Sequence, residues 1–169
     1  TVYITIGTGV GVGVWVNGGL LHGMLHPEGG HVFLPRHPKD PEGGICPYHK
    51  NCLEGFASGP AIEARWGKKA VELVDRPEVW ELESYYIAQA LVDYILVLSP
   101  QKIILGGGVM HQEQLFPMIR ANVLEMLNGY INTEELGDMD NYIVPASLKD
   151  NQGIMGCIKL GLNALDASR

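Results

Sequence analysis

Cys46-Pro47-Tyr48-His49-Lys50-Asn51-Cys52-Leu53-Glu54 is the stretch from which the rest of this sequence is best read. Two thiols and an imidazole, each three residues apart, can surround a single ion from one short loop. Thiolate sulfur and imidazole nitrogen are zinc's preferred donors, usually four in a tetrahedron. The run supplies three of them. His31 is the best fourth, because it follows Pro27-Glu28-Gly29-Gly30 and precedes an expected strand, Val32-Phe33-Leu34. His37 competes for that place, although Pro35 and Pro38 around it read as exposed loop. The plainer alternatives are a Cys46–Cys52 disulfide, or two unrelated small hydrophobes. Cys157 lies far away in a helical pattern and nothing marks a secreted chain, so a structural zinc site is the better reading.

Working outward, 169 residues with 46% apolar content is enough chain for one domain with a proper core. A net charge of −7 without a basic patch argues against nucleic acid and anionic membranes as partners. No apolar run is long enough to span a membrane, and the sequence opens directly in a strand, with no signal peptide and no initiator Met. A cytoplasmic location is expected.

Val2 to Ile6 reads as a buried strand. Val then alternates with Gly from Gly7 to Val16, Asn17-Gly18 marks a hairpin, and Leu20 to Gly23 should return. Val12 stands where a dinucleotide fingerprint would need its third glycine. Two readings of the turn stay open: a tip whose amides and Thr8 hydroxyl face a phosphate, or a plain, closely packed hairpin. Ser58 and Pro60 start a short helix that stops near Gly67, and Lys68 to Arg76 is polar helix or turn. The longest helix is expected over 78–98, with its last turns deeply buried. Tyr85-Tyr86 reads as core. After Ser99-Pro100 comes a short apolar strand, 102–105, then Gly106-Gly107-Gly108 and a helix over about 112–127. Strand, glycine turn, helix brings backbone close to a ligand at the carboxyl edge of a sheet. Tyr142 to Val144 is a further strand, and residues 149–153 open a final apolar helix whose first amides are another candidate anion site.

Together, His26-Pro27-Glu28-Gly29-Gly30-His31, the Cys46 to Gly55 run and Ala57-Ser58-Gly59-Pro60 resemble the signature of ROK-family sugar kinases. The Cys-x-x-His-x-x-Cys form, with Gly7-Thr8-Gly9-Val10-Gly11 and Gly106-Gly107-Gly108-Val109, is most similar to the bacterial fructokinase branch. The resemblance implies an α/β chain, the C-terminal lobe of an actin-like (hexokinase/Hsp70 ATPase) fold with a mixed sheet flanked by helices. It implies ATP-dependent phosphorylation of a hexose, fructose to fructose 6-phosphate, with Mg accompanying ATP and a structural zinc. By position, His31, Cys46, His49 and Cys52 would hold zinc, and Glu28, His31 and Glu54 would bond sugar hydroxyls. Gly7, Thr8, Gly9, Pro100, Gly106, Gly107, Gly108, Asn151 and Gly153 would enclose the nucleotide.

The family's earlier half, with an acidic Gly-Gly-Thr phosphate loop and an aspartate general base beside an asparagine, has no counterpart in this sequence. That aspartate would take the proton from the attacking hydroxyl. Neither Asp40 nor Asp75 matches it, so no catalytic residue is assigned and the chain alone is expected to be inactive. Residues 1–152 would form the nucleotide- and sugar-binding lobe, and 153–169 a helix returning to the N-terminal lobe. A homodimer is the expected assembly. Gly29, where the family often has a larger residue, would loosen the pocket wall. The competing reading is a zinc-stabilised module that binds sugar or nucleotide without turnover.

Overall fold

The computed structural model describes residues 1–148 and 151–167. Among the described residues five strands form one sheet in the order β3-β2-β1-β4-β5. β1 (Val2–Ile6) pairs antiparallel with β2 (Val10–Val16), setting Ile4 opposite Val12. On its other side β1 pairs parallel with β4 (Ile103–Gly106), with Ile4 opposite Leu105, and β4 pairs parallel with β5 (Ile143–Pro145). The sheet is therefore mixed. Side chains alternate across a strand, so Val2, Ile4 and Ile6 are wholly buried, while Tyr3 and Thr5 on the other face are only partly so.

Asn17 and Gly18 both take left-handed backbone angles, φ 51° and 79°, which is the turn that an Asn-Gly pair between strands predicts. The returning strand is shorter than expected. β3 is only Gly19–Leu20, because Leu21 gives its amide to Val14 and Gly23 then bonds Leu25 in a tight turn.

The helices are α1 (Leu53–Ala57), α2 (Gly59–Trp66), α3 (Pro77–Leu98), α4 (Leu115–Leu127), α5 (Glu134–Gly137), α6 (Met139–Tyr142) and α7 (Gln152–Ala167). Ser58 caps α2 by accepting from the Ala61 amide, and Gly67 ends it at φ 68°. Pro77 opens α3 at its first position, where a missing N–H costs nothing. The 68–76 segment supplies one 3-10 turn, Ala70–Glu72. α4 begins three residues later than expected, because Gly108–His111 makes a separate 3-10 turn. Pro117 is then its third residue, where no intrahelical N–H bond is lost. The short helices α5 and α6 went unforeseen; they are nucleated by Thr133 and Asp138, which accept from Leu136 and Asn141 amides.

Three expectations are corrected. The last turns of α3 are not deeply buried: Leu96 and Val97 stand exposed, and its buried stretch runs from Val79 to Ile95. Val32 to Leu34 forms no strand, only an isolated bridge between Phe33 and Cys52, because the prolines and glycines on both sides leave no partner for a ladder. The wall beside Gly29 is not loosened, since a Cβ there would lie 2.9 Å from Val12, whose side chain already fills the space. The core joins the inward side chains of β1 and β4 to α3 and α4, with Trp80, Tyr86 and Phe56 its largest members. Among the described residues no helix is long and apolar enough to cross a membrane.

Candidate functional site

The cluster of sulfur and nitrogen donors is assembled by turns rather than by regular structure. Gly29–His31 makes one 3-10 turn, seated so close to β2 that a Cβ on Gly30 would be 2.0 Å from the Val10 carbonyl oxygen. Lys50, at φ 50°, closes the second turn by donating its amide to Cys46. Cys52 then caps α1, its sulfur accepting from the Gly55 amide at 3.4 Å. The result brings one donor atom each from His31, Cys46, His49 and Cys52 within 4.8 Å of one another.

Individual separations come close to those around a tetrahedral ion. The Nδ1 atom of His31 lies 3.9 Å from the Cys46 sulfur and 3.6 Å from that of Cys52, and Nδ1 of His49 lies 3.9 Å from Cys46. Bonds of about 2.3 Å to sulfur and 2.0 to 2.1 Å to nitrogen set tetrahedral ligand atoms roughly 3.4 to 3.8 Å apart. Both thiols are free and buried, so the disulfide alternative is not realised. Burial pushes the Cys46 thiol up, but the amides of His49 and Tyr48 outweigh it and hold it below its ordinary value. Burial pushes the Cys52 thiol up. Two thiolates and two imidazoles would neutralise a divalent ion, so the donor set fits zinc in charge as well as spacing. His37 is elsewhere, its ring against Tyr85 and its Nδ1 accepting from the Lys39 amide.

The two carboxylates differ in setting. Glu54, in the first turn of α1, accepts the Val10 amide at 3.0 Å through Oε2. Glu28 is largely exposed and pairs with His26 at 2.9 Å. The carbonyl after it, on Gly29, takes a 2.6 Å hydrogen bond from the Tyr94 hydroxyl.

β1 and β4 run parallel, so the turns that follow them emerge at one edge of the sheet. Gly7, Thr8 and Gly9 make the first, closed by Gly7 donating to Gly9, and the Gly59 amide at the start of α2 donates to Gly7 at 2.7 Å. Gly106, Gly107 and Gly108 make the second. Gly107, at φ 91°, lies so close to β1 that a Cβ would be 2.4 Å from the Ile6 oxygen. Beside this turn opens a cleft of about 660 Å³ whose lining includes Gly106, Gly107, Met110, Phe116, Arg120 and Gln152. Asn151 and Gly153 flank Gln152 at the exposed start of α7. Lys149 and Asp150 lie outside the described residues.

Pro100 is not brought to this edge. It precedes β4, lining a separate cleft with Thr1, Trp15 and Gln101 at the sheet's other end. Met110, Phe116 and Arg120 line the cleft beside the second glycine turn, which the sequence does not announce. Arg120 donates to the Ile143 carbonyl at 2.7 and 3.1 Å, pairs with Asp140 and lies over the Phe116 ring one turn earlier. That i, i+4 pairing of Phe and Arg was the available signal, but it does not tell a cleft wall from a solvated helix face.

Known proteins share this fold. The profile of the ROK family matches residues 1–164. A fructokinase of Pediococcus pentosaceus is 49% identical over 166 residues, covering 98% of this chain and 56% of that protein. A Bacillus subtilis protein provisionally named a fructokinase is 58% identical over 166 residues, with the same 98% and 56% coverage. This chain thus spans a little over half the length of these relatives. Among solved structures, a ROK hexokinase of Thermus thermophilus superposes with a TM-score of 0.74 at 24% identity, covering 92% of this chain and 54% of that one. A ROK glucokinase of Streptomyces griseus, solved with glucose and AMPPNP, gives 0.70 at 22% identity, covering 94% and 59%. At those identities the likeness shows the fold, a lobe of the actin-like architecture in which a mixed sheet is flanked by helices. With the profile matched along nearly the whole chain, this protein belongs to the ROK family.

Proposed function

We propose that this chain is the sugar- and nucleotide-binding half of an ATP-dependent hexose kinase, with fructose as the substrate and fructose 6-phosphate as the product. The observation that carries the reading is the bond from the Val10 amide to Glu54 Oε2. It ties the glycine turn proposed for phosphates to the loop proposed for sugar. Phosphoryl transfer needs the attacking hydroxyl and the γ-phosphate about 3 to 3.5 Å apart, so a kinase must fix those two surfaces against each other. Relatives named fructokinase, at 41 to 58% identity, support fructose over other hexoses.

In this reading Glu54 spends one oxygen on Val10 and offers the other to a sugar hydroxyl. His31 turns Nδ1 toward the sulfurs, which leaves Nε2 to bond a hydroxyl. Glu28 supplies a third contact. Zinc, held by His31, Cys46, His49 and Cys52, would fix the loop without taking part in transfer. Thr8 and the amides of both glycine turns face the phosphates of Mg·ATP, and the cleft beside Met110 and Phe116 receives the base. The general base and the acidic phosphate loop come from the N-terminal half, against which α7 packs.

A coupled assay of fructose and ATP tests this. Turnover is expected from the chain joined to its N-terminal half and none from residues 1–169 alone. A complete protein that phosphorylates no hexose overturns the reading, and so does turnover by the isolated chain for the assignment of the base to the other half.

A further inference from the structure

We infer that Arg65 is the positioning residue of the metal loop, gripping it at both ends through one guanidinium. This rests on the reading of the Cys/His cluster as a metal site. Asp40 lies six residues before Cys46, and Phe56 lies four after Cys52. Arg65 Nε donates to Asp40 Oδ2 at 3.1 Å, and Arg65 Nη2 donates to the Phe56 carbonyl at 3.0 Å. Residues 40–56 are thereby closed into a ring whose clasp sits on α2, outside the loop itself.

The clasp is buried. The Arg65 and Asp40 side chains are 3% and 0% exposed. The Tyr86 hydroxyl donates to Asp40 Oδ2 at 2.7 Å and accepts the His37 amide at 3.0 Å. The other Asp40 oxygen takes the Glu42 and Gly43 amides at 3.2 and 3.4 Å. Phe56 stacks on Tyr86 with centroids 4.2 Å apart and planes 3° from parallel. A buried ion pair is weak evidence for stability, since apolar residues of equal volume often serve as well. Directional bonds to both sides of a loop that has almost no regular structure do something apolar packing cannot. They hold the donors near their liganding positions before the ion arrives, which cuts the ordering cost of binding.

The discriminating variant is Arg65→Lys, which keeps the charge but lacks the planar fork needed to reach Asp40 and Phe56 together. Asp40→Asn is less useful, because it strands a buried cation and threatens folding. Tyr86→Phe is the second variant, removing one hydroxyl from the clasp while keeping its stack. Zinc affinity of the 169-residue chain is measured by competition with a chromogenic chelator, with Val123→Ala in α4 as a core control of comparable instability. Arg65→Lys is expected to weaken zinc binding roughly tenfold, the scale of support lost around a metal. Tyr86→Phe should weaken it less, and Val123→Ala should leave it unchanged. Equal affinity for parent and Arg65→Lys overturns the inference, as does an equal loss in Val123→Ala. A parent chain that binds no zinc overturns the metal reading first and this inference with it.

Discussion

The Cys/His loop and the last helix are opposites. Residues 28–52 have almost no regular backbone, one 3-10 turn and two isolated bridges, yet Cys46, Cys52, Leu34 and Asp40 are buried. α7 is an uninterrupted helix of 16 residues, yet Ile154, Ile158 and Leu162 stand 64%, 51% and 52% exposed. Regular hydrogen bonding and burial are thus separable here. The loop finds its partners within the chain, through side chains that reach it from α2 and α3. The helix satisfies its own backbone but leaves its apolar side chains to something else.

If the Cys/His cluster holds zinc as proposed, the sharpest way to break this contrast is to remove the ion. At a thousandfold excess over Kd, zinc bound only by the folded chain contributes about 4 kcal/mol. For a chain of this length that is roughly 8 to 16 °C in melting temperature. A chelator should lower the midpoint by that much and expose the amides of residues 28–54 to hydrogen exchange, leaving α4 protected. Cys52→Ser should bring bound zinc to background. An unchanged midpoint with chelator would count against a bound ion and against the role given to Arg65.

A smaller effect comes from a flaw on the packed side. Glu83 in α3 is 1% exposed, and among the described residues neither carboxylate oxygen has a hydrogen-bond partner. Burial pushes its carboxyl well above the ordinary value, opposed only in part by the Arg65 charge. The folded chain therefore holds a proton on Glu83 that the unfolded chain releases above its ordinary pKa. Stability falls as pH rises between those two values, because the folded state binds more protons there. Glu83→Gln should remove that slope and raise the midpoint at pH 8 by several degrees, more than at pH 5. Equal gains at both pH values would show that the carboxyl is not the source.

How much of this was legible beforehand follows the same divide. The Cys/His spacing, the Asn17-Gly18 turn and the Ser58 cap were readable because each is decided by residues adjacent in sequence. The two glycine turns were readable as turns, and the parallel pairing of β1 with β4 brings them to one edge. The position of Pro100 is not legible without that pairing, since nearness in sequence to Gly106 says nothing about which end of a strand it occupies. The clasp of Asp40, Arg65 and Tyr86 was invisible, because its members lie 25 and 46 residues apart along the chain. The exposed end of α3 reads as buried from sequence because Leu96 and Val97 are apolar, and composition does not reveal where the partner element stops.

The smallest expected effect concerns α7, and there smallness is the result. Ile158 and Leu162 are one turn apart on the same face. Replacing both by Gln keeps helix propensity, so any change in stability reports lost packing rather than lost helix. If α7 packs on nothing in this chain, Ile158→Gln with Leu162→Gln should move the unfolding free energy by less than about 0.5 kcal/mol, the range of ordinary surface changes. Exposed apolar surface favours association at roughly 25 cal/mol per Å² buried, so the same pair should shift a self-associating chain toward monomer in light scattering. It should also weaken rejoining to a separately produced N-terminal half. A loss of 2 kcal/mol or more in the monomer would place α7 on its own lobe's core, and the contrast with the Cys/His loop would collapse.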